Sequence, residues 1–249
     1  MRILLAGEQW TAVKTEIKGV DYFGVHSSHE GAHWIKRALT SGGHTVTHLR
    51  SFEVPEHFPE SLADLQAHDV LILSDIGSNS LLLHPEMFSQ GIRHPNRLKL
   101  IREYVHAGGG LLMIGGYMSF QGIDGRARYA NTPVEEILPV TCESYDDRCE
   151  HPEGLTPEIT ESKHEVLQGI TAPWPYFLGY NRTKLKPKAQ LIASIGGNPL
   201  VALGTAGRGR SAVFTSDCAP HWGPPDFLSW PHYGALWNNL VGWLGTPRG

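Results

Sequence analysis

The 249-residue sequence is poor in cysteine: Cys142, Cys149 and Cys218 show no C-x-x-C spacing, and any disulfide scheme leaves one of them unpaired. That argues against a disulfide scaffold and points to a reducing compartment. No apolar run approaches transmembrane length. The run Ile3 to Ala6 is too short for the core of a signal peptide and reads as a first core strand. Lys/Arg clusters are absent and the formal net charge is −4, which argues against a nucleic acid or an anionic membrane as partner. Repeats, linkers and low-complexity tracts are also missing, so the expectation is a single domain over 1–249 in the cytoplasm. The expected ligand is a small neutral or polar metabolite, with no cofactor and no metal; homo-oligomerisation is left open.

What is present fits a folded α/β protein. Hydrophobic residues make up 41% and charged residues 18%, and the 28 Gly and 17 Pro imply many tight loops. Ile3–Ala6, His44–Leu49, Val70–Ser74 and Leu111–Ile114 read as strands, the third and fourth apolar on both faces as a sheet buried on both sides requires. Between them, Ala32, Ile35, Ala38 and Leu39 recur at helical spacing before Gly42-Gly43. Ser61–Ala67 reads as a short capped helix, and Leu98, Ile101 and Val105 mark another that Gly108 ends. Four β–α alternations in this span predict a doubly wound, mostly parallel sheet. Glu8 to Ser28 shows no clear periodicity and reads as a long loop at the carboxyl end of the first strand, where Trp10 is a candidate ligand contact.

Beyond Gly122 the pattern loosens. Thr132-Pro133 opens one helical turn, and Thr141 to Pro157 reads as a charged, loop-rich excursion from the sheet. Gln190–Ile195, Leu200–Leu203 and Ser211–Ser216 are strands joined by Gly-rich turns, hence an antiparallel extension at the C-terminal side. Tyr233–Leu244 closes the chain as an amphipathic helix with Leu236, Leu240 and Trp243 on one face.

The chemistry gathers at three predicted strand ends: Asp75-Ile-Gly77-Ser78-Asn79, Gly115-Gly116-Tyr117-Met118-Ser119 and Asp217-Cys-Ala-Pro-His221-Trp222. A strand, a glycine turn and a helix start make the plan of a nucleophile elbow, with Tyr117 at its apex. His221 stands apart from the other histidines because Pro220, Trp222, Pro224 and Pro225 stiffen its loop, which suits a general base; the plainer reading is a structural hydrogen-bonder under the last helix. His29-Glu-Gly-Ala-His33 matches H-E-x-x-H, a signature of zinc hydrolases. A competing reading of that stretch is a capping box, Ser27-x-x-Glu30, at a helix start, with His26, His29 and His33 in no metal role.

Taken together, Leu71–Asp75, Gly109–Gly116 and Gly207–Ser216 followed by His221 resemble the class I glutamine amidotransferase-like superfamily, and more closely its bacterial branch near the trehalose-utilisation-type proteins. The resemblance implies a flavodoxin-like fold, and an elbow cysteine activated by a histidine and oriented by an acid. On this chain the cysteine position falls on Tyr117, or on Gly116 one residue earlier. The histidine falls on His221, and the usual acid position on Gly223, leaving Asp217 as a displaced orienter. The oxyanion turn falls near Gly77 and Ser78. A thiolate attacks a carboxamide and leaves as a thioester; a phenol of pKa about 10 does neither well. The resemblance therefore implies a cleft lined by Asp75, Gly77, Ser78, Gly116, Met118, Trp10 and Trp222, with Tyr117, His221 and Asp217 as its catalytic candidates. Such a cleft belongs either to a hydrolase or transferase with an atypical site, or to a non-catalytic binder of a sugar or amide. Cys218 reads as a buried, inert thiol.

Overall fold

A strand with apolar side chains on both faces needs cover on both sides. The computed structural model, which describes residues 1–171 and 173–246, supplies it. Its strands in chain order are β1 (Arg2–Gly7), β2 (Gln9–Lys18), β3 (Asp21–Glu30), β4 (Thr45–Leu49), β5 (Val70–Ser74), β6 (Gly110–Ile114), β7 (Val140–Cys142), β8 (Arg148–Leu155), β9 (Glu158–Ile159), β10 (Phe177–Asn181), β11 (Thr183–Leu185), β12 (Gln190–Ile195), β13 (Asn198–Ala206) and β14 (Gly209–Phe214). Among the described residues the main sheet has eight strands in the order β4-β1-β5-β6-β14-β13-β12-β9. The first five run parallel and the last three are added antiparallel. The parallel part has the flavodoxin-like order 2-1-3-4-5, and the antiparallel part is the expected extension.

The two faces divide the core by strict alternation. Ile3, Leu5, Ile72, Leu112 and Ile114 pack with Ile35 and Leu39 of the helix His33–Ser41 and with Leu236, Trp237 and Leu240 of the helix Tyr233–Leu244. Leu4, Leu71, Leu73, Leu111 and Met113 face the other way, onto Leu98, Ile101 and Val105 of the helix Arg97–His106. Local caps fix the helix starts: Ser61 accepts from the Asp64 N–H, Asn96 from Lys99, and Thr132 from Glu135 with Pro133 at the first helical position.

Four sequence readings are corrected. The stretch after Glu8 is not a loop but the antiparallel hairpin β2–β3, with Gln9 opposite Glu30 and Lys18 opposite Asp21. Both faces of the hairpin carry mixed polar and apolar side chains, so its strands leave no alternation in the sequence. The capping box fails for the same reason: Ser27 and Glu30 lie in β3, and the next helix starts from Ala32 with no side-chain cap. No helix follows Gly115-Gly116; the chain passes through Phe120 at φ 53° and a short 3-10 turn, Ile123–Gly125, so the turn is not a nucleophile elbow. The span 141–157 is an excursion from the main sheet, as expected, but it is not loop-rich: it carries the end of β7 and all of β8, paired with β11 and β10 in two small antiparallel sheets.

Candidate functional site

Strand order reverses between β1 and β5, and open α/β sheets keep their ligand crevice outside the carboxyl ends at such a point. Three of the parallel strands deliver an acid within three residues of their carboxyl ends: Glu8 after β1, Asp75 after β5 and Asp217 after β14. Glu8 sits at φ 53°, Asp75 at 43° and His221 at 150°, backbone conformations that are strained for residues other than glycine. Glu8 is 2% exposed; its Oε1 accepts from Ser74 Oγ at 2.8 Å. Asp75 Oδ1 accepts from the Met118 N–H at 2.7 Å, and the Asp75 N–H donates to Ser119 Oγ at 3.1 Å, tying the glycine turn to the end of β5. Asp217 Oδ1 accepts from the Ala219 N–H at 2.9 Å, and its Oδ2 lies 3.6 Å from His221 Nδ1, close but longer than a hydrogen bond.

Two glycines make this convergence possible. Gly116 has φ 143°, and a Cβ there would stand 2.7 Å from Asp75 Oδ1. Gly31, whose N–H donates to the Glu8 carbonyl at 2.9 Å where the hairpin returns, would place a Cβ 2.5 Å from Glu8 Oε2.

The three carboxylates line a cavity of about 410 Å³ with the rings of Trp10, Tyr117 and His221 and the side chains of Met118 and Ile123. Burial, then mutual repulsion with the neighbouring acids, pushes Glu8 and Asp217 well above the ordinary carboxylate range; burial raises Asp75 as well. Burial lowers the His221 pKa against the pull of Glu150 and Asp75, so its imidazole is neutral at pH 7. The cavity thus pairs acids that keep their protons to higher pH than usual with a histidine that loses its proton at lower pH than usual.

One wall is an aromatic array. The Tyr117 ring meets His221 edge-on at 4.2 Å, and His221 stacks on Trp222 at 5.0 Å. Glu150 anchors the group, accepting from Tyr117 Oη at 3.0 Å and Trp222 Nε1 at 2.9 Å, while the Arg148 guanidinium lies 4.8 Å over the Tyr117 ring. Burial and the Glu150 carboxylate raise the Tyr117 phenol, so it stays protonated at neutral pH. Behind the turn, Asn181 is fully buried: its Oδ1 accepts from the Gly116 N–H at 2.9 Å, and its Nδ2 donates to the Gly116 carbonyl at 3.1 Å and to Asp147 Oδ1 at 2.8 Å. Asp147 in turn accepts from the N–H groups of Gln121 and Gly122.

Of the residues expected from sequence, Trp10, Asp75, Tyr117, Met118, Asp217 and His221 come together around the cavity, Gly116 backs Asp75, and Trp222 stands behind His221. Gly77 and Ser78 do not join them. Gly77 packs on Met118 and Ala127, the Ser78 N–H is spent on the Ala127 carbonyl at 2.8 Å, and its hydroxyl donates to Arg128 O. That turn therefore offers the cavity no free Ser78 amide. His221 does not lie under the last helix, as its plainer reading had it, but on the cavity wall. His29 lies in a strand, stacked on Trp10 at 5.4 Å, and His33 opens a helix, so the two do not share one helical face. Among the described residues, two other groups bring three donor atoms within 4.8 Å: Glu8, Asp217 and Cys218, and Glu60, His84 and His94.

Sequence reasoning missed Glu8, Asp147, Arg148, Glu150 and Asn181. An acid immediately after an apolar strand was the signal for Asp75, and it applied equally to Glu8. No local signal links Asn181 to a glycine 65 residues away.

Cys218 is buried; burial and then the nearby Glu8 push its thiol well above the ordinary range, and Ser74 Oγ lies 3.6 Å from its sulfur. The folded protein is accordingly expected to leave Cys218 unmodified by Ellman's reagent at pH 8 and to release it only in denaturant. Rapid labelling of Cys218 in the native state, read by peptide mass, would contradict this account of the thiol.

A flavodoxin-like sheet whose carboxyl edge gathers a glycine turn, a histidine and acids defines a class I glutamine amidotransferase-like architecture. The chain belongs to the family described as "Putative glutamine amidotransferase", whose model matches residues 2–246. It is similar over its length to cytoplasmic protein STM3548 from Salmonella typhimurium, with 42% identity, a TM-score of 0.95 and 100% of both chains covered. Cytoplasmic protein STM1381 from Salmonella typhimurium LT2 is 40% identical, with a TM-score of 0.94 over 98% of this chain and 99% of that one. A ThuA-like protein from Parabacteroides merdae shares the fold alone, at 14% identity and a TM-score of 0.59 over 98% of this chain and 90% of its own. Comparison with curated proteins finds no match.

Proposed function

We propose that the cavity takes a small, neutral, hydroxyl-rich metabolite of the sugar or polyol class in the cytoplasm, and that the protein is not a glutaminase. The observation that carries this reading is the trio of carboxyl groups, Glu8 and Asp217 buried and Asp75 half-buried, lining a cavity that no thiol among the described residues lines. Among the described residues no Lys or Arg lines the cavity to pair with the α-carboxylate of glutamine, whereas hydroxyl groups hydrogen-bond to carboxyl groups in either protonation state. Trp10, Tyr117 and Met118 supply flat apolar surface for the C–H face of such a ligand. The same groups suit acid–base chemistry: a protonated Glu8 or Asp217 gives a proton and neutral His221 takes one, without a covalent intermediate. Tyr117 anchors the ligand from its Glu150-bound position.

Calorimetric titration of the full chain with a panel of neutral sugars, polyols and amides, beside glutamine, tests the proposal. The expected result is saturable binding of a hydroxylated neutral compound, weakened about tenfold or more in Trp10→Ala as stacking area is lost, and no ammonia release from glutamine. Glutamine turnover, or tighter binding of an anionic metabolite than of any neutral one, overturns it.

A further inference from the structure

β2 and β3 pair only with each other among the described residues. A lone two-stranded hairpin is marginal in water, and three or more strands are needed for independent stability. Here each arm is ten residues long and its apolar side chains stand in solvent, with Val13 63%, Ile17 75% and Tyr22 78% exposed. The pairing sets Ile17 opposite Tyr22 and Glu16 opposite Phe23. With side chains alternating, Val13, Thr15, Ile17 and Tyr22 share one face, and Lys14, Glu16, Lys18 and Phe23 the other. Lys14 Nζ lies 2.9 Å from Glu16 Oε1, and Lys18 sits 5.4 Å over the Phe23 ring, as that division requires.

One edge of β2 is bonded to β3 and the other is open. About Thr15 its sequence is self-complementary: Val13-Lys14-Thr15-Glu16-Ile17. Laid antiparallel on a second copy with Thr15 on a twofold axis, Lys14 faces the partner's Glu16 and Val13 faces the partner's Ile17. Moving the axis to Lys14 sets lysine against lysine; moving it to Glu16 sets glutamate against glutamate and Lys14 against the partner's Lys18. An axis at Ile17 leaves only residues 16–18 of β2 overlapped.

We propose that the open edge of β2 is a self-association surface, through which two copies join antiparallel about Thr15 into a four-stranded sheet. The interface is isologous, as twofold symmetry demands. It completes a sheet that is marginal alone and brings the exposed Val13 and Ile17 of both copies together. It also braces the hairpin root, where Trp10 lines the cavity and Gly31 is bonded to Glu8.

Sedimentation equilibrium of the full chain tests this with charge variants of exposed side chains that leave the core untouched. Wild type is expected to be a dimer. Lys14→Glu and Glu16→Lys each place like charges across the axis twice and weaken dimerisation about tenfold. Mixing the two variants restores a tight heterodimer, because every facing pair is then of opposite charge; a contact within one chain does not produce that rescue. A wild type that stays monomeric at about 100 μM, or a mixture that associates no better than either variant alone, overturns the proposal. Unchanged far-UV circular dichroism of both variants shows that the fold is kept.

Discussion

Replacing Asn181 with alanine is expected to lower the unfolding free energy by about 3–4 kcal/mol, a fall of roughly 10 °C in Tm for a chain of this size. The side chain is fully buried and makes three hydrogen bonds, so truncation strands the Gly116 N–H and carbonyl and takes a donor from Asp147. A buried polar group left without a partner loses more than the net worth of its bond. The deficit also depends on pH. Burial raises the Asp147 carboxyl to about 6, while the Asn181 hydrogen bond pulls it down. A carboxyl whose folded pKa exceeds its unfolded value stabilises fully below the unfolded pKa and loses that contribution as pH rises through the folded one. Without Asn181 the folded pKa climbs further, so the gap between wild type and variant should widen from pH 6 upward. Urea unfolding at pH 5.5 and 8 measures both effects. A variant within about 1 kcal/mol of wild type at both pH values would show that the turn is held by other means.

Asn181 also shows where sequence reading stops. The main sheet's first four strands in chain order were legible because Ile3–Ala6, Val70–Ser74 and Leu111–Ile114 are apolar runs and His44–Leu49 alternates with β-branched residues, with helical periodicity between. The antiparallel extension was legible from its short glycine turns. The hairpin β2–β3 was not, because a strand exposed on both faces has no reason to alternate in polarity, and alternation is what marks a strand in sequence. The turn after β6 misled in the opposite direction. Gly115-Gly116 fits an elbow, yet these glycines serve close approach, to Thr215 O in one case and the Asp75 carboxylate in the other, and the chain then runs on without a helix.

The site divides along the same line. Asp75, Tyr117, Asp217 and His221 follow strand ends and could be found from the order of strands alone. Glu150 and Arg148 come from β8, which is outside the main sheet, and they reach Tyr117 only through the fold. Gly77 and Ser78 were placed by resemblance; the structure turns them toward Ala127 and Arg128 because the loop after Gly122 folds back over that turn.

Glu8→Gln is expected to stabilise the protein at neutral pH while removing its ligand binding. Glu8 shares a buried site with Asp217 and Asp75, and burial followed by the repulsion of those two acids raises its pKa well above the usual range. The linkage has a definite sign. The native state holds protons that the unfolded chain gives up at lower pH, so stability falls as pH rises from the ordinary carboxylate range through the folded pKa. Glutamine keeps the acceptor for Ser74 Oγ and cannot ionise, so it abolishes the Glu8 part of that fall. The variant should match wild type near pH 4.5 and exceed it at pH 8 by about 2 kcal/mol, or roughly 4–8 °C in Tm. Binding moves the other way, since the cavity loses its most buried acid and affinity for the neutral ligand should drop by about tenfold or more. A stabilised protein that no longer binds is the behaviour of a strained functional site, and the positive φ at Glu8 fits that role. Differential scanning fluorimetry across pH 4.5–8 beside calorimetry decides it. A Glu8→Gln protein less stable than wild type at pH 8 would show that the carboxylate is held ionised as a structural ion, and the acid–base assignment would fall with it.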